Sequence, residues 1–399
     1  MTKGKKQNKT VENLVSDTGK NVPPSGIREF FDIVYSQPDC ISLGVGEPDF
    51  TTPWRISDTG IYSIKDGYTH YTPNRGIEEL RKGIHQYLKK QYRINYNPNT
   101  ELLVTMGVSQ GLDLALRSII DPGDEIIIIE PCYVSYRANI SMLHGIPVSV
   151  PTYLKEGFTI SIERLSRAIT GRTKAILLNY PSNPTGISLD KATLEAVAKL
   201  AIKHNLIVIS DEIYSAISFD RQHISILSIP GMKERTIYLN GFSKSHAMTG
   251  WRLGFIGGPE HLVDTMLKIH QYTALCAPSI AQYAAVEALE NGQKDVDKMC
   301  SEYLKRRNYI VSRFNNAGLT CPMPDGAFYV FPDISSTGLS SKEFALKLLQ
   351  YEKVAVVPGN AFGEAGEKHI RCSYATSMSN IKKALDGIEK FITERPWDT

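Results

Sequence analysis

From about residue 101, short unbroken apolar runs alternate with stretches of helical period. "ELLVTM" precedes "GLDLALRSII", "DEIIIIE" precedes a helix near "YVSYRANISML", and "TKAILLNY" precedes "LDKATLEAVAKLAIKH". "NLIVISD", "RTIYLN" and "RLGFIGG" follow. Continuous β-branched runs suit strands covered on both faces, and strand–helix alternation predicts a mainly parallel sheet with right-handed crossovers. After residue 276 the texture changes. "APSIAQYAAVEALENG" and "DVDKMCSEYLKRRNYIVSRFNNAG" read as long helices, the second stopped by Gly318. "GAFYVFPD", "SKEFALKLLQYE", "KVAVVPG", "HIRCSY" and "MSNIKKALDGIEKFI" then predict a smaller α+β unit. The Pro- and Gly-rich stretch 21–60 has no clear period and is expected to be largely loop, and no repeat of 20 to 50 residues is present.

Composition narrows the class. A chain of 399 residues, 42% hydrophobic and 22% charged, is that of a globular protein with two domains. A net charge of +3 gives no electrostatic case for nucleic acid or an acidic membrane, and no apolar run approaches the ~20 residues of a membrane helix. Six scattered cysteines form no Cys-x-x-Cys pair, so neither a metal ribbon nor a redox motif is expected; free thiols and no signal peptide suggest the cytoplasm. The lysine-rich start "MTKGKKQNKT" is expected to be a disordered tail.

Candidate chemistry gathers at the strand ends, where open parallel sheets bind ligands. The segments concerned are Gly107-Val-Ser109-Gln110-Gly111, Pro131-Cys-Tyr133, Pro181-Ser-Asn183-Pro-Thr-Gly186, Asp211-Glu-Ile-Tyr214 and Gly241-Phe-Ser243-Lys244. Singly, each has an ordinary reading. Ser109 serves equally as a helix cap or a phosphate donor, "NPTG" as a turn, Asp211 as a cap, Tyr133 and Tyr214 as core. Lys244 is a solvated charge or a desolvated nucleophile, and Arg252, eight residues on, offers a fork suited to phosphate. An amine and a phosphate clamp together suit a phosphorylated aldehyde. No Gly-x-Gly-x-x-Gly follows the first strand, which excludes a nicotinamide Rossmann enzyme.

Residues 22–395, through "SLGVGEPDF", "YTPNRGIEELR", "NYPSNPTG", "SDEIY", "GFSKSHAMTGWRLGF", "PDGAFYVF" and "RCSYAT", resemble the class I/II pyridoxal-phosphate-dependent aminotransferases. The likeness is to their aspartate and aromatic aminotransferase branch in bacteria and archaea. It implies fold type I: an α/β fold with a mainly parallel seven-stranded sheet flanked by helices, and a smaller α+β domain. The implied division is a tail (1–20), an arm with part of the small domain (21–55), a large cofactor domain (56–293) and a small C-terminal domain (294–399).

The resemblance also implies roles. Lys244 is the covalent cofactor lysine and proton-transfer base. Asp211 pairs with the ring nitrogen of pyridoxal 5'-phosphate, Asn183 and Tyr214 donate to its phenolic oxygen, and Tyr133 stacks on the ring. Ser109, Gln110, Ser243 and Arg252 surround the phosphate. Arg371 and Gly46 hold the substrate carboxylate, with Tyr133 and Asn183 also beside the substrate. Tyr71 reaches the phosphate of the other subunit, which implies a homodimer with shared sites. No metal is implied.

Gly241 stands where some relatives carry a hydroxyl, which removes one phosphate donor. Ser109 stands where acid-selective relatives can carry a lysine, which favours neutral or aromatic amino donors and leaves aspartate possible. The expected reaction is transfer of an amino group from an L-amino acid to a 2-oxo acid such as 2-oxoglutarate. The alternatives are a carbon–sulfur β-lyase on the same fold and a non-enzymatic cofactor-binding regulator; against the latter, only about 20 polar residues precede the match. Closure of the segment Pro24 to Phe31 over the pocket is expected on substrate binding.

Overall fold

The structure, a computed structural model, describes residues 14–22, 26–27 and 39–398. Its main sheet has seven strands: β1 (Leu102–Thr105), β2 (Glu125–Glu130), β3 (Ile146–Pro151), β4 (Thr173–Asn179), β5 (Ile207–Asp211), β6 (Thr236–Gly241) and β7 (Gly254–Gly257). They lie in the order β1-β7-β6-β5-β4-β2-β3. Only β7 runs against its neighbours. The α/β fold expected of the family is therefore present.

The unbroken run in β2 has a direct cause. Ile126 and Ile128 enter one core with helix Gly107–Ile119, whereas Ile127 enters another with helix Lys191–Lys203. With both faces covered, all four positions from Ile126 to Ile129 are apolar. At the sheet edge, β3 departs from this rule: it is mostly half-exposed and contains Pro147 and Pro151. An edge strand tolerates proline, and this is why the pattern did not predict it.

Helix Trp54–Lys65 begins inside the stretch expected to be loop. It buries Ile56, Gly60 and Ser63 but leaves Trp54, Ile61, Tyr62 and Ile64 exposed, so its period is blurred. Helices Glu78–Tyr92, Ile162–Ala168 and Glu260–Thr273 were also not anticipated.

The C-terminal part packs helices Gln293–Asn316, Ser341–Glu352 and Met378–Glu394 around a separate apolar core that also takes in Leu43. A three-stranded antiparallel sheet crosses it, with Ile370–Ser373 between Val357–Pro358 and Tyr329–Val330. The run "KVAVVPG" is two short strands rather than one, since Val354–Ala355 pairs instead with Ile41–Ser42. Gly318 stands just beyond the long helix with φ +82, as the sequence implied.

This part is fixed to the sheet. Asp325 N–H and Gly326 N–H both donate to Gly186 O, at 2.9 and 3.0 Å. Of the expected tail, residues 1–13 lie outside the described residues and Asp17–Asn21 forms a short helix capped by Ser16. Of Pro24 to Phe31, only Gly26 and Ile27 are described, and Ile27 lines the cleft discussed next.

Candidate active site

The parallel strands end along one edge of the sheet, and a cleft of about 620 Å3 opens there. Ser109, Tyr133, Asn183, Asp211, Tyr214, Ser243 and Lys244 line it from the turns after β1, β2, β4, β5 and β6. Because β7 is reversed, it starts at the edge where the others stop, and this brings Arg252 to the same cleft. Gly46 and Arg371 close the far side.

Asp211 is buried. Tyr136 Oη donates to its Oδ2 at 2.8 Å, and Ile213 N–H donates to its Oδ1 at 3.2 Å. Burial raises its pKa to about 6 against these bonds and the Lys244 charge, with Glu212 adding to the rise. A carboxylate in this state would be stabilised by a further cation.

Lys244 Nζ donates to Gly46 O at 2.8 Å. Burial in the cleft wall lowers its pKa to about 8; Glu47 opposes this, while Arg371 and Arg252 add to it. At pH 7 roughly a tenth is then the free amine, the nucleophilic and basic form, against less than a thousandth for an ordinary lysine.

Arg252 Nη1 donates to Thr249 O at 2.9 Å. Its guanidinium lies at the first turn of helix Gly107–Ile119: a Cβ on Gly107, whose φ is +75, would sit 2.8 Å from Arg252 Nη2. A helix N-terminus beside a guanidinium that has no carboxylate partner among the described residues, with Ser109 and Ser243 at hand, is a cradle suited to phosphate.

Arg371 is buried. Its Nη1 donates to Asn183 Oδ1 at 3.1 Å and its Nη2 to Gly44 O at 2.5 Å, while Nε has no partner among the described residues. The cation lies 4.5 Å from the Tyr329 ring centroid and 5.0 Å from that of Phe362. Among the described residues neither Arg252 nor Arg371 has a carboxylate within 4.0 Å. A buried guanidinium left in this condition is suited to an incoming carboxylate. Arg371 already touches Asn183 from the sheet side, so the contact between the two parts does not wait for substrate.

Two expected residues stand apart. The Gln110 side chain turns back to accept from Met106 N–H at 2.8 Å and does not line the cleft. Tyr71 is 83% exposed and lines a second groove of about 480 Å3 with Met106 and Cys276. Conversely, Glu47, Tyr136, Thr249 and Tyr329 line the cleft without having been singled out. Tyr136 could have been found one helical turn after Tyr133. Glu47 and Tyr329 lie inside segments that carry the resemblance, but only their contacts reveal a part.

Residues 38–388 match the model of the family Aminotransferase class I and II. An aspartate aminotransferase of Pyrococcus abyssi is 46% identical over 384 residues, covering 96% of this chain and 99% of that protein. Aromatic-amino-acid aminotransferase 2 of Thermococcus litoralis is 43% identical over 384 residues, with 96% and 99% covered. The crystal structure of a Pyrococcus protein called protein-A1 superposes with a TM-score of 0.93 at 44% identity, covering 95% of this chain and 98% of that one.

Proposed function

The chain belongs to the class I and II aminotransferases and depends on pyridoxal phosphate, and on that premise we propose that it moves the α-amino group of a neutral or aromatic L-amino acid to a 2-oxo acid such as 2-oxoglutarate, in a ping-pong cycle. When bound, the cofactor supplies an aldehyde that takes up the amino group and a ring that withdraws electrons from the carbon beside it. The chain's own residues do the rest. Lys244 carries protons between the substrate carbon and the cleft as its amine cycles between base and acid. Asp211 offers its carboxylate to a ring cation, held in place by Tyr136 and the Ile213 N–H. Arg252, Ser109, Ser243 and the helix N-terminus hold the phosphate. Asn183 and Tyr214 face the ring's oxygen, and Tyr133 covers the ring.

The observation that carries this reading is the meeting, in one cleft, of a desolvated amine with a buried carboxylate and two guanidinium groups that lack acidic partners. The substrate class rests on Ser109. The cations lining the cleft among the described residues are Lys244, Arg252 and Arg371, and this reading assigns each to the cofactor or to the substrate α-carboxylate, so none is left for a side-chain carboxylate. Assaying a panel of amino donors against 2-oxoglutarate tests it: phenylalanine, tyrosine or leucine should exceed aspartate in kcat/KM by roughly 10-fold or more. Preference for aspartate would overturn the substrate class without touching the reaction. Neither the site nor the relatives favour the carbon–sulfur lyase, which would release pyruvate and ammonia from an amino acid alone.

Arg371→Leu should raise KM for every amino acid and every 2-oxo acid on the order of 100-fold, by a common factor, since all carry the same carboxylate. A simple amine lacking that group should be unaffected. Selective loss by side chain would instead move Arg371 to the specificity pocket.

The working form in this reading is a homodimer in the cytoplasm. Tyr71 and Tyr272 are 83% and 93% exposed, and Tyr71 does not reach its own chain's cleft, which supports its placement at the phosphate end of the partner subunit's site. The same reading divides the chain into a tail (1–20), an arm with part of the small domain (21–55), a large cofactor domain (56–293) and a small C-terminal domain (294–399). Among the described residues, no helix is long and apolar enough to cross a membrane.

A further inference from the structure

We propose that Tyr329 is a positioning residue for the reaction: its hydroxyl directs the proton of Tyr214, and its ring sets the plane of the Arg371 guanidinium. The inference rests on the roles of Tyr214 and Arg371 given above. Tyr329 sits on the short strand Tyr329–Val330, 115 residues from Tyr214, and is buried against the cleft. Its Oη lies 2.9 Å from Tyr214 Oη. The Arg371 cation lies over its ring, 4.5 Å from the centroid. A Cβ on Gly46 would come within 2.8 Å of Tyr329 Oη, closer than such contacts allow, so glycine at 46 is what admits the hydroxyl. Gly46 O is also the acceptor for Lys244 Nζ. One phenol thus touches the residues that face the ring oxygen, the carboxylate and the amine.

Proton accounting gives the pair a direction. Each hydroxyl has one hydrogen, and only one of the two lies between the oxygens. Should Tyr214 donate to Tyr329, it has only lone pairs left for an anionic oxygen in the cleft. Should Tyr329 donate to Tyr214, the Tyr214 hydrogen is free to point into the cleft, and the bond behind it makes it a stronger donor. Burial raises the pKa of both phenols, so both keep their hydrogens at working pH. Neither hydroxyl has another hydrogen-bond partner among the described residues, so an anionic oxygen in the cleft decides the direction: it takes the Tyr214 hydrogen, and Tyr329 then donates to Tyr214.

The two roles separate by substitution. Tyr329→Phe removes one oxygen and keeps the ring. In the cofactor-loaded protein it should raise the pH midpoint of the visible absorption change by roughly 0.3 to 1 unit, because a weaker Tyr214 donor stabilises the ring's oxygen anion less. KM for amino and 2-oxo acids should stay within about twofold, since the cation–π contact is kept. Tyr329→Leu removes the ring as well, and should raise KM for both substrates by roughly 3- to 30-fold. Tyr214→Phe should shift the midpoint further than Tyr329→Phe. On that background Tyr329→Phe should add no further shift, which a role independent of Tyr214 would not reproduce. If Tyr214→Phe leaves the midpoint unmoved, the role of Tyr214 itself fails. If Tyr214→Phe moves it and Tyr329→Phe does not, or if the two shifts add, the inference about Tyr329 alone is overturned. Equal KM for the Phe and Leu variants would remove the role of the ring.

Discussion

Lys244→Ala should leave a folded protein that still takes up the cofactor and has lost on the order of 10^4-fold or more in kcat. The size follows from the two tasks that converge on one nitrogen, covalent attachment and proton transfer. The structural cost is small by contrast: among the described residues the side chain makes one hydrogen bond, to Gly46 O, and its burial disfavours the charged form. An ordinary lysine, with a pKa of about 10.4, is almost wholly protonated at pH 8, whereas Lys244 is near half-deprotonated there. In the cofactor-free protein Lys244 should therefore be the first lysine to react with a small acylating reagent at pH 8. In the loaded wild type, borohydride should fix the cofactor to the peptide containing Lys244, read by mass spectrometry. Finding the adduct on any other lysine would sink the assignment. Between about pH 8 and 10.4 the unfolded chain binds the proton that the folded chain has released, so this group's contribution to stability rises with pH across that window. The alanine variant should lack that rise.

What could be read from the sequence was what depends on order and spacing. The strand ends carrying Asn183, Asp211 and Lys244 could be named because short apolar runs such as "AILLN" and "LIVIS" announce strands, and ligands gather where parallel strands stop. Arg252 was readable as a partner of Lys244, but its arrival by way of the one reversed strand was not. The helix Trp54–Lys65 was hidden by its own exposed aromatics, which erase the amphipathic stripe that marks a helix. Tyr136 and Tyr329 were illegible for a different reason. A buried tyrosine after an apolar run is ordinary core by every local rule, and its part depends on an oxygen 2.8 or 2.9 Å away that belongs to another element. Gln110 shows the converse: its place in the helix-start motif suggested phosphate, while a backbone N–H four residues back claims its side chain. Tyr71 was named from resemblance alone, and nothing among the described residues of one chain gives its hydroxyl a task.

Asp211→Asn should lower kcat by roughly 10^3-fold and, in the same protein without cofactor, raise stability at pH 7.5 by about 1–3 kcal/mol. The two effects have one cause. Burial first, and the neighbouring Glu212 second, raise the Asp211 pKa to about 6, against the hydrogen bonds from Tyr136 and Ile213 and the Lys244 charge. In the unfolded chain the same carboxyl titrates near 3.9. Because the folded value is the higher one, the group's contribution to stability is fully present below about pH 4 and is lost as pH rises through about 6. Asparagine has the same shape and no charge to bury. Its Oδ1 can accept from Ile213 N–H and its Nδ2 can donate to Tyr136 Oη, so the local bonds survive with one reversed. Thermal melts of the cofactor-free proteins should therefore run close together near pH 4 and separate above pH 6, the variant melting higher. Adding cofactor should reverse the order, since a ring cation stabilises an ionised carboxylate and does little for an amide. A structural aspartate behaves in the opposite way: its amide would melt lower at pH 7.5 with or without cofactor. That result, or an Asn variant with wild-type turnover, would remove Asp211 from the chemistry. The reversal is expected because the protein keeps a carboxylate where, empty, it is unfavourable, and the cation that relieves it is the one the reaction needs.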